Sequence, residues 1–224
     1  MKKVLLAVFT CMIGFTVLAQ SPKLPPLFNK DSALRAAIHK DSVKIETRYA
    51  NIVRWRNLVQ TAEYPAIKGF RSTGVFPVKD ISEFPDTNMK YKLLYESHQK
   101  NPDSLMDKPD ENLLSVAHII NMHVAAGVPL KNISVVIVTH GPGNAAILSN
   151  AVYHKKYGTN NPNLKLIGDL ENMGARFIVC GQSMDFGGLT KSDILPVVHI
   201  AFSAQTTFTT YQLKGYVLKT LDNK

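Results

Sequence analysis

An α/β fold is predicted for this chain: a three-layer α/β/α, doubly wound arrangement around a mostly parallel five-stranded sheet, preceded by a helical and irregular N-terminal extension. Three observations point to it. Apolar runs of strand length alternate with helix-period segments from about residue 90 onward. Ile133-Ser134-Val135-Val136-Ile137-Val138-Thr139 is almost continuously apolar and rich in branched residues, as in a parallel strand buried on both faces. The segments between strands are long enough to hold crossover helices, and right-handed crossovers lay those helices against the sheet.

The start of the chain is read as a targeting segment. Lys2 and Lys3, the apolar run Val4 to Leu18 and the small-residue pattern Val17-Leu18-Ala19 before Gln20 predict a secretory signal peptide over residues 1–19. The apolar run is short for a membrane span, no second one follows, and Val8-Phe9-Thr10 before Cys11 does not suit a lipoprotein box. The expected product is an exported, periplasmic protein with no membrane anchor after cleavage. Cys11 would leave with the leader, so Cys180 becomes the only thiol and no intramolecular disulfide can form. A lone cysteine in an oxidising compartment is buried and inert, bonded to another molecule, or kept for its reactivity. The formal charge of +9 falls to +7 without Lys2 and Lys3, and no dense Lys/Arg block is present. With export, that argues against a nucleic-acid role and leaves anionic small molecules or an acidic protein surface.

Residues 20–89 are expected to form the extension and 90–224 the α/β domain. Ser21 to Asn29 is proline-rich and reads as an extended lead-in. Asp31 or Ser32 can cap a helix through Ala33, Leu34, Ala37 and Ile38, and a second stretch, Ser42 to Gln60, places Ile45, Tyr49, Ile52, Val53 and Val59 near one face. That stripe is either a docking arm or a cover for the core. Pro65, Gly69, Gly74, Pro77 and Pro85 mark a wrapping loop with one short strand near Gly74 to Val78.

The domain proper begins with a strand over Tyr91 to His98, whose polar end faces an active-site edge. Asp110 to Ala126 has a strong helical pattern closed by Gly127. The strand Ile133 to Thr139 runs into His140-Gly141-Pro142-Gly143-Asn144, with Asn144 capping a helix through Ala145 to His154. Asn161-Pro162-Asn163 opens a further helix carrying Leu164, Ile167, Leu170 and Met173. Arg176 to Cys180, Val197 to Phe202 and Tyr216 to Leu221 supply the remaining strands, and Ser203 caps a helix through Leu213.

Ligands of open α/β sheets bind beyond the carboxyl ends of the strands, and His98, His140 and Cys180 stand there. Cys180 leads into Gly181-Gln182-Ser183, a turn or helix start whose N–H groups would favour a thiolate or persulfide anion. The alternative is a thiol that completes an apolar strand. His140 to Ala146 has a dinucleotide-like spacing of glycines, but Pro142 removes a backbone donor, no acidic residue ends the next strand and no Walker lysine follows, so a tight turn is preferred. His118 and His123, five apart, do not share a helix face. A metal site would need His98, His140 and Cys180 to converge, an incomplete soft set, and neither a metal nor another cofactor is expected.

The pieces NMHVAAGV (Asn121 to Val128), VTHGP (Val138 to Pro142), NPNL (Asn161 to Leu164), CGQS (Cys180 to Ser183) and QLKGYVL (Gln212 to Leu218), in that order, resemble the DsrE/DsrF-like family of sulfur-handling proteins, in its exported branch. The resemblance covers about residues 90–221. It implies a doubly wound domain that assembles into oligomers, and a cysteine, here Cys180, that carries a persulfide and passes sulfur to a partner. The resulting expectation is a periplasmic sulfur-binding or sulfur-transfer protein, a carrier of the sulfurtransferase kind, with His140 and His98 as electrostatic supports. Its partners would be a sulfur donor or acceptor protein or a small sulfur compound, and further copies of itself. The competing expectation is a non-catalytic oligomeric module that binds a ligand or protein on the same fold.

Overall fold

The computed structural model describes residues 32–221. The expected leader at 1–19, Cys11 and the proline-rich lead-in lie outside them. The chain divides into two compact units at Arg54/Trp55. The described part of the first belongs to helix α1, Ser32–Gln60, which is continuous where two stretches were expected. No proline or glycine interrupts it, and Ser42 and Thr47 turn their hydroxyls onto the carbonyls of Ile38 (2.9 Å) and Val43 (2.7 Å), one helical turn back. Ile38, Val43, Ile45, Tyr49 and Ile52 are exposed. No helix among the described residues is long and apolar enough to cross a membrane.

The second unit holds β1 (Tyr91–Ser97), α2 (Glu111–Ala125), β2 (Ile133–Thr139), α3 (Asn150–Tyr157), α4 (Leu164–Asn172), β3 (Arg176–Cys180), α5 (Gly181–Phe186), β4 (His199–Ala201), α6 (Ala204–Leu213) and β5 (Val217–Thr220). The five strands are all parallel, in the order β4-β3-β2-β1-β5. From β1 to β4 the chain steps in one direction across the sheet, and α2 and α4 bury Leu113, Val116, Ile120, Leu166, Ile167 and Leu170 against one face. The connection from β4 to β5 then reverses past β1. A right-handed crossover running the other way lands on the opposite face, and there α6 packs Ala204 and Phe208 on Leu94, Val136, Val138 and Ile178. The continuous apolar character of β2 follows, since Val135 and Ile137 face one layer and Val136 and Val138 the other. The expected fold class is the observed one.

Two local expectations are corrected. The segment Gly74 to Val78 makes only an isolated antiparallel bridge, Glu63 to Val75, and no strand. The irregular segment before it is tied down by buried Asn121 of α2. Its side-chain oxygen accepts from the N–H groups of Ala66 and Ile67, and its amide donates to the carbonyls of Ile67 and Thr73. The helix expected from Ala145 to His154 is replaced by a tight 3-10 segment, Gly141–Ile147, followed by α3. Leu148 bridges to Ile194, which stops the first segment, and Ser149 caps the second by accepting from the Val152 N–H.

Asp110 caps α2, accepting from the N–H groups of Asn112 (3.0 Å) and Leu113 (3.2 Å), while its own N–H donates to Asn163 Oδ1. Burial pushes its carboxyl up to about 6 in spite of those two donors. A carboxyl raised in the fold is disfavoured in its charged form, so its effect on stability becomes less favourable as pH climbs from about 4 to 6 and is level above. Asp110→Asn, which keeps an accepting oxygen, should match the parent near pH 4 and exceed it above pH 6 by at most about 3 kcal/mol. Asp110→Ala should lose about 1 kcal/mol at pH 4 through the missing cap. Denaturant unfolding between pH 4 and 8 measures both, and a pH-independent gap between Asp and Asn contradicts the assignment.

Candidate functional site

Parallel register aligns the three expected site residues. Ser97 pairs with Thr139 and Thr139 with Val179, so one residue further on His98, His140 and Cys180 share a rung at the carboxyl edge of β1, β2 and β3. Cys180 in turn pairs with Ala201 of β4. Side chains of one rung point to one face, and alternate rungs share it. The rung two residues earlier holds Glu96, Val138, Ile178 and Thr220. Val138, Ile178 and Cys180 pack in the layer under α6, which places the whole set on that face.

Three of these side chains form a cluster. The Glu96 carboxylate, one nitrogen of His98 and one of His140 lie within 4.8 Å of one another, all half-buried. His140 Nε2 is 2.9 Å from Glu96 Oε1, and Thr220 Oγ1 donates to Glu96 Oε2 at 2.9 Å. The two imidazoles stack with planes 20° apart and centroids 5.8 Å apart, and Phe208 sets its ring edgewise to His140. Burial alone would raise the Glu96 carboxyl. Hydrogen bonds from His140 and Thr220, with positive charge on His140 and His98, outweigh it and hold the group below the ordinary carboxylate value. His98 Nδ1 is buried without a hydrogen-bond partner.

Cys180 shares the rung but not the cluster. Its side chain is 7% exposed and packs with Val138, Ile178, Ala204 and Phe208. It occupies the residue before α5, yet no N–H of that helix donates to the sulfur. The Gln182 N–H goes instead to the Phe202 carbonyl at 3.4 Å. A donor-lined thiolate seat, expected from the glycine turn, is therefore not formed.

The turns beside the thiol are knitted by Ser183, whose Oγ accepts from the Gly141 N–H at 2.6 Å and from Asn144 Nδ2 at 2.9 Å. Asn144 is thus a buried tether and caps no helix. At the same edge a cleft of about 660 Å³ is lined by Gly141, Pro142, Asn144 and Ser183, with Lys156 and the Lys100–Asp103 ion pair contributing charge. His123 lies elsewhere, its ring against Tyr91 and its Nδ1 2.8 Å from the Ile119 carbonyl. His118 lines a separate apolar cleft of about 780 Å³ with Trp55, Phe70, Phe76 and Leu114.

The edge position of the thiol and the close turn after β2 both fall in one stretch of sequence with known relatives. Residues 115–220 match the DsrE/DsrF-like family. The matched residues take in His140, Cys180, Ser183 and Thr220, whereas Glu96 on β1 and His98 just after it precede them. No curated protein matches the chain. Among solved structures it is similar to a protein of unknown function from Methanobacterium thermoautotrophicum, at 16% identity and a TM-score of 0.43, over 58% of this chain and 99% of that one.

Glu96 and Thr220 are the site residues that sequence reasoning missed. Glu96 carried a signal, because residues two apart at a strand end share a face with His98. Thr220 carried none, since only the sheet order sets β5 beside β1.

The turn itself depends on Gly143. A Cβ there would stand 2.2 Å from the Ser97 carbonyl oxygen and 3.1 Å from His98 Cα, both backbone atoms with nowhere to retreat. Gly143→Ala should therefore cost about 1–3 kcal/mol and shift His98 relative to His140. Denaturant unfolding together with the imidazole NMR resonances tests this. An alanine variant of parental stability with unmoved His98 signals would contradict the packing.

Proposed function

We propose that the protein is a sulfur carrier in which Cys180 holds sulfane sulfur as a persulfide. The DsrE/DsrF-like match suggests a function related to sulfur relay, and it spans Cys180. What carries the reading to this residue is its position: the sole cysteine of the described residues stands at the carboxyl end of β3, on one rung with His140 and His98. The thiolate attacks an outer sulfur of a polysulfide or a donor persulfide. A new S–S bond forms as the donor's S–S bond breaks, and the electron pair leaves with the shortened donor. An acceptor thiolate then attacks the outer sulfur of Cys180 and releases the Cys180 thiolate, so no external oxidant or reductant is used.

Lys156 in the cleft at the same edge, beside the paired Lys100 and Asp103, suits an anionic donor, and the imidazoles of His140 and His98 add positive potential when protonated. Exposed Phe186 on α5 and Ile200 and Phe202 at β4 give apolar surface beside the thiol that a second copy can cover, in line with a homo-oligomer. In this reading the chain works in the periplasm after loss of residues 1–19, and its partners are a sulfur donor and an acceptor protein or small thiol, with no role for nucleic acid.

One observation favours the competing reading, a non-catalytic binding module: Cys180 is packed among apolar side chains with no donor on its sulfur. Mass spectrometry of the full chain after exposure to polysulfide separates the two. Sulfur-transfer predicts added sulfur on the Cys180 peptide, removed by a small thiol and absent in Cys180→Ser. An unmodified Cys180, inert to alkylation in the folded state and reactive only after denaturation, would overturn the sulfur-carrier reading and leave the binding module.

A further inference from the structure

We propose that Glu96, His98 and His140 form a binding site for a divalent first-row transition metal ion, best suited to Zn²⁺, independent of the Cys180 thiol. Two imidazoles and one carboxylate are a recurrent ligand set for Zn²⁺ and related ions when a further position is left to water or substrate. Here the three donor atoms already lie within 4.8 Å of one another. Bonds of about 2.0–2.2 Å to one tetrahedral ion bring donors to about 3.3 Å apart, so His98 needs only a small approach. His140 Nε2 and Glu96 Oε1 are already at 2.9 Å, where a proton holds the place that a metal ion would take.

The surroundings fit a ligand set better than a lone Glu–His pair. Thr220 Oγ1 donates to the second carboxylate oxygen, Oε2, leaving Oε1 directed at the histidines, which is the orienting role that outer hydrogen bonds play around metal ligands. The edge of Phe208 fixes the His140 ring. His98 is stacked onto His140, its Nδ1 is buried with no hydrogen-bond partner, and its Nε2 has only the Gln99 side-chain amide at 3.4 Å, so the ring has little in the fold to hold it beside the pair. All three side chains are half-buried, so an ion can enter from the carboxyl edge of the sheet while part of its shell stays dry. One carboxylate and two neutral imidazoles leave a bound divalent ion with net positive charge, and its open position would take water or a small anion.

The test uses the full chain without an affinity tag, loaded with Zn²⁺, dialysed and analysed for metal, and in parallel titrated with Co²⁺ by absorption. The expected result is one ion per chain and weak visible Co²⁺ bands, with no intense near-ultraviolet thiolate-to-metal band. Cys180→Ser should leave both unchanged, which keeps this result separate from the fate of the persulfide. His98→Ala, His140→Ala and Glu96→Gln should each weaken binding at least about 100-fold, and Thr220→Val about tenfold. Should a variant fail to fold, Zn²⁺ titration of the parent followed by NMR decides alone, because only His98 and His140 among the imidazoles should shift to a one-to-one end point. The absence of stoichiometric metal, a thiolate band, binding indifferent to the histidine substitutions, or unmoved His98 and His140 resonances would each overturn the proposal.

Discussion

Because β1, β2 and β3 run parallel and in register, the residues one step beyond Ser97, Thr139 and Val179 arrive at the same height and on the same face. His98, His140 and Cys180 come from positions 42 and 40 residues apart in the chain, and no local contact could assemble them. The alignment depends in turn on close approach at the edge. The Gly143 N–H reaches the carbonyls of His98 and His140, and the His140 N–H reaches the Ser97 carbonyl, so the ladder continues past the last strand residue. Only a glycine at 143 lets the β2 turn come that close to β1. The glycines of His140-Gly141-Pro142-Gly143 thus have an account in backbone packing that requires no nucleotide.

The reversal of the chain after β4 does as much for the site as the register. It sends α6 over the face on which the rung sits, bringing Phe208 onto His140 and Cys180, and it lays β5 beside β1 so that Thr220 meets Glu96. Without that reversal the Glu96 carboxylate would stand at an open edge with no donor on its second oxygen. The depressed titration of Glu96 has the same origin. Burial opposes the charged form, and the donors assembled from β2 and β5 overcome it.

Much of this was legible in the sequence, for reasons specific to each residue. The continuous branched run at Ile133 to Thr139 announced a strand buried on both faces, and the alternation around it announced the crossovers. The edge positions of His98, His140 and Cys180 followed from where polar residues end apolar runs. What failed was non-local. Asn144 has the composition of a helix cap, but Ser183, brought over by α5, offers its amide a better partner and the helix waits for Ser149. The glycine turn after Cys180 looked like a thiolate seat, whereas the Gln182 N–H is drawn to the Phe202 carbonyl just past the end of β4. Propensity and motif describe what a segment can do alone, and in each case a partner distant in sequence decided otherwise.

The packing keeps the Cys180 thiol apart from the nitrogen and oxygen donors at the same edge. At the β1–β2 end of that edge, Glu96, His98 and His140 converge in a half-buried, polar setting. At its β3 end, the thiol is enclosed by Val138, Ile178, Ala204 and Phe208. A thiolate is the softest and strongest ligand available to a transition metal ion, so a thiol free to swing into the cluster would capture any ion there and lose its nucleophilicity. Apolar packing on the thiol and the Thr220 and Phe208 contacts on the cluster oppose that convergence from both sides. The burial of Cys180, which by itself speaks against reactivity, is also what would let a sulfur nucleophile and a metal site share one edge of a sheet without quenching each other.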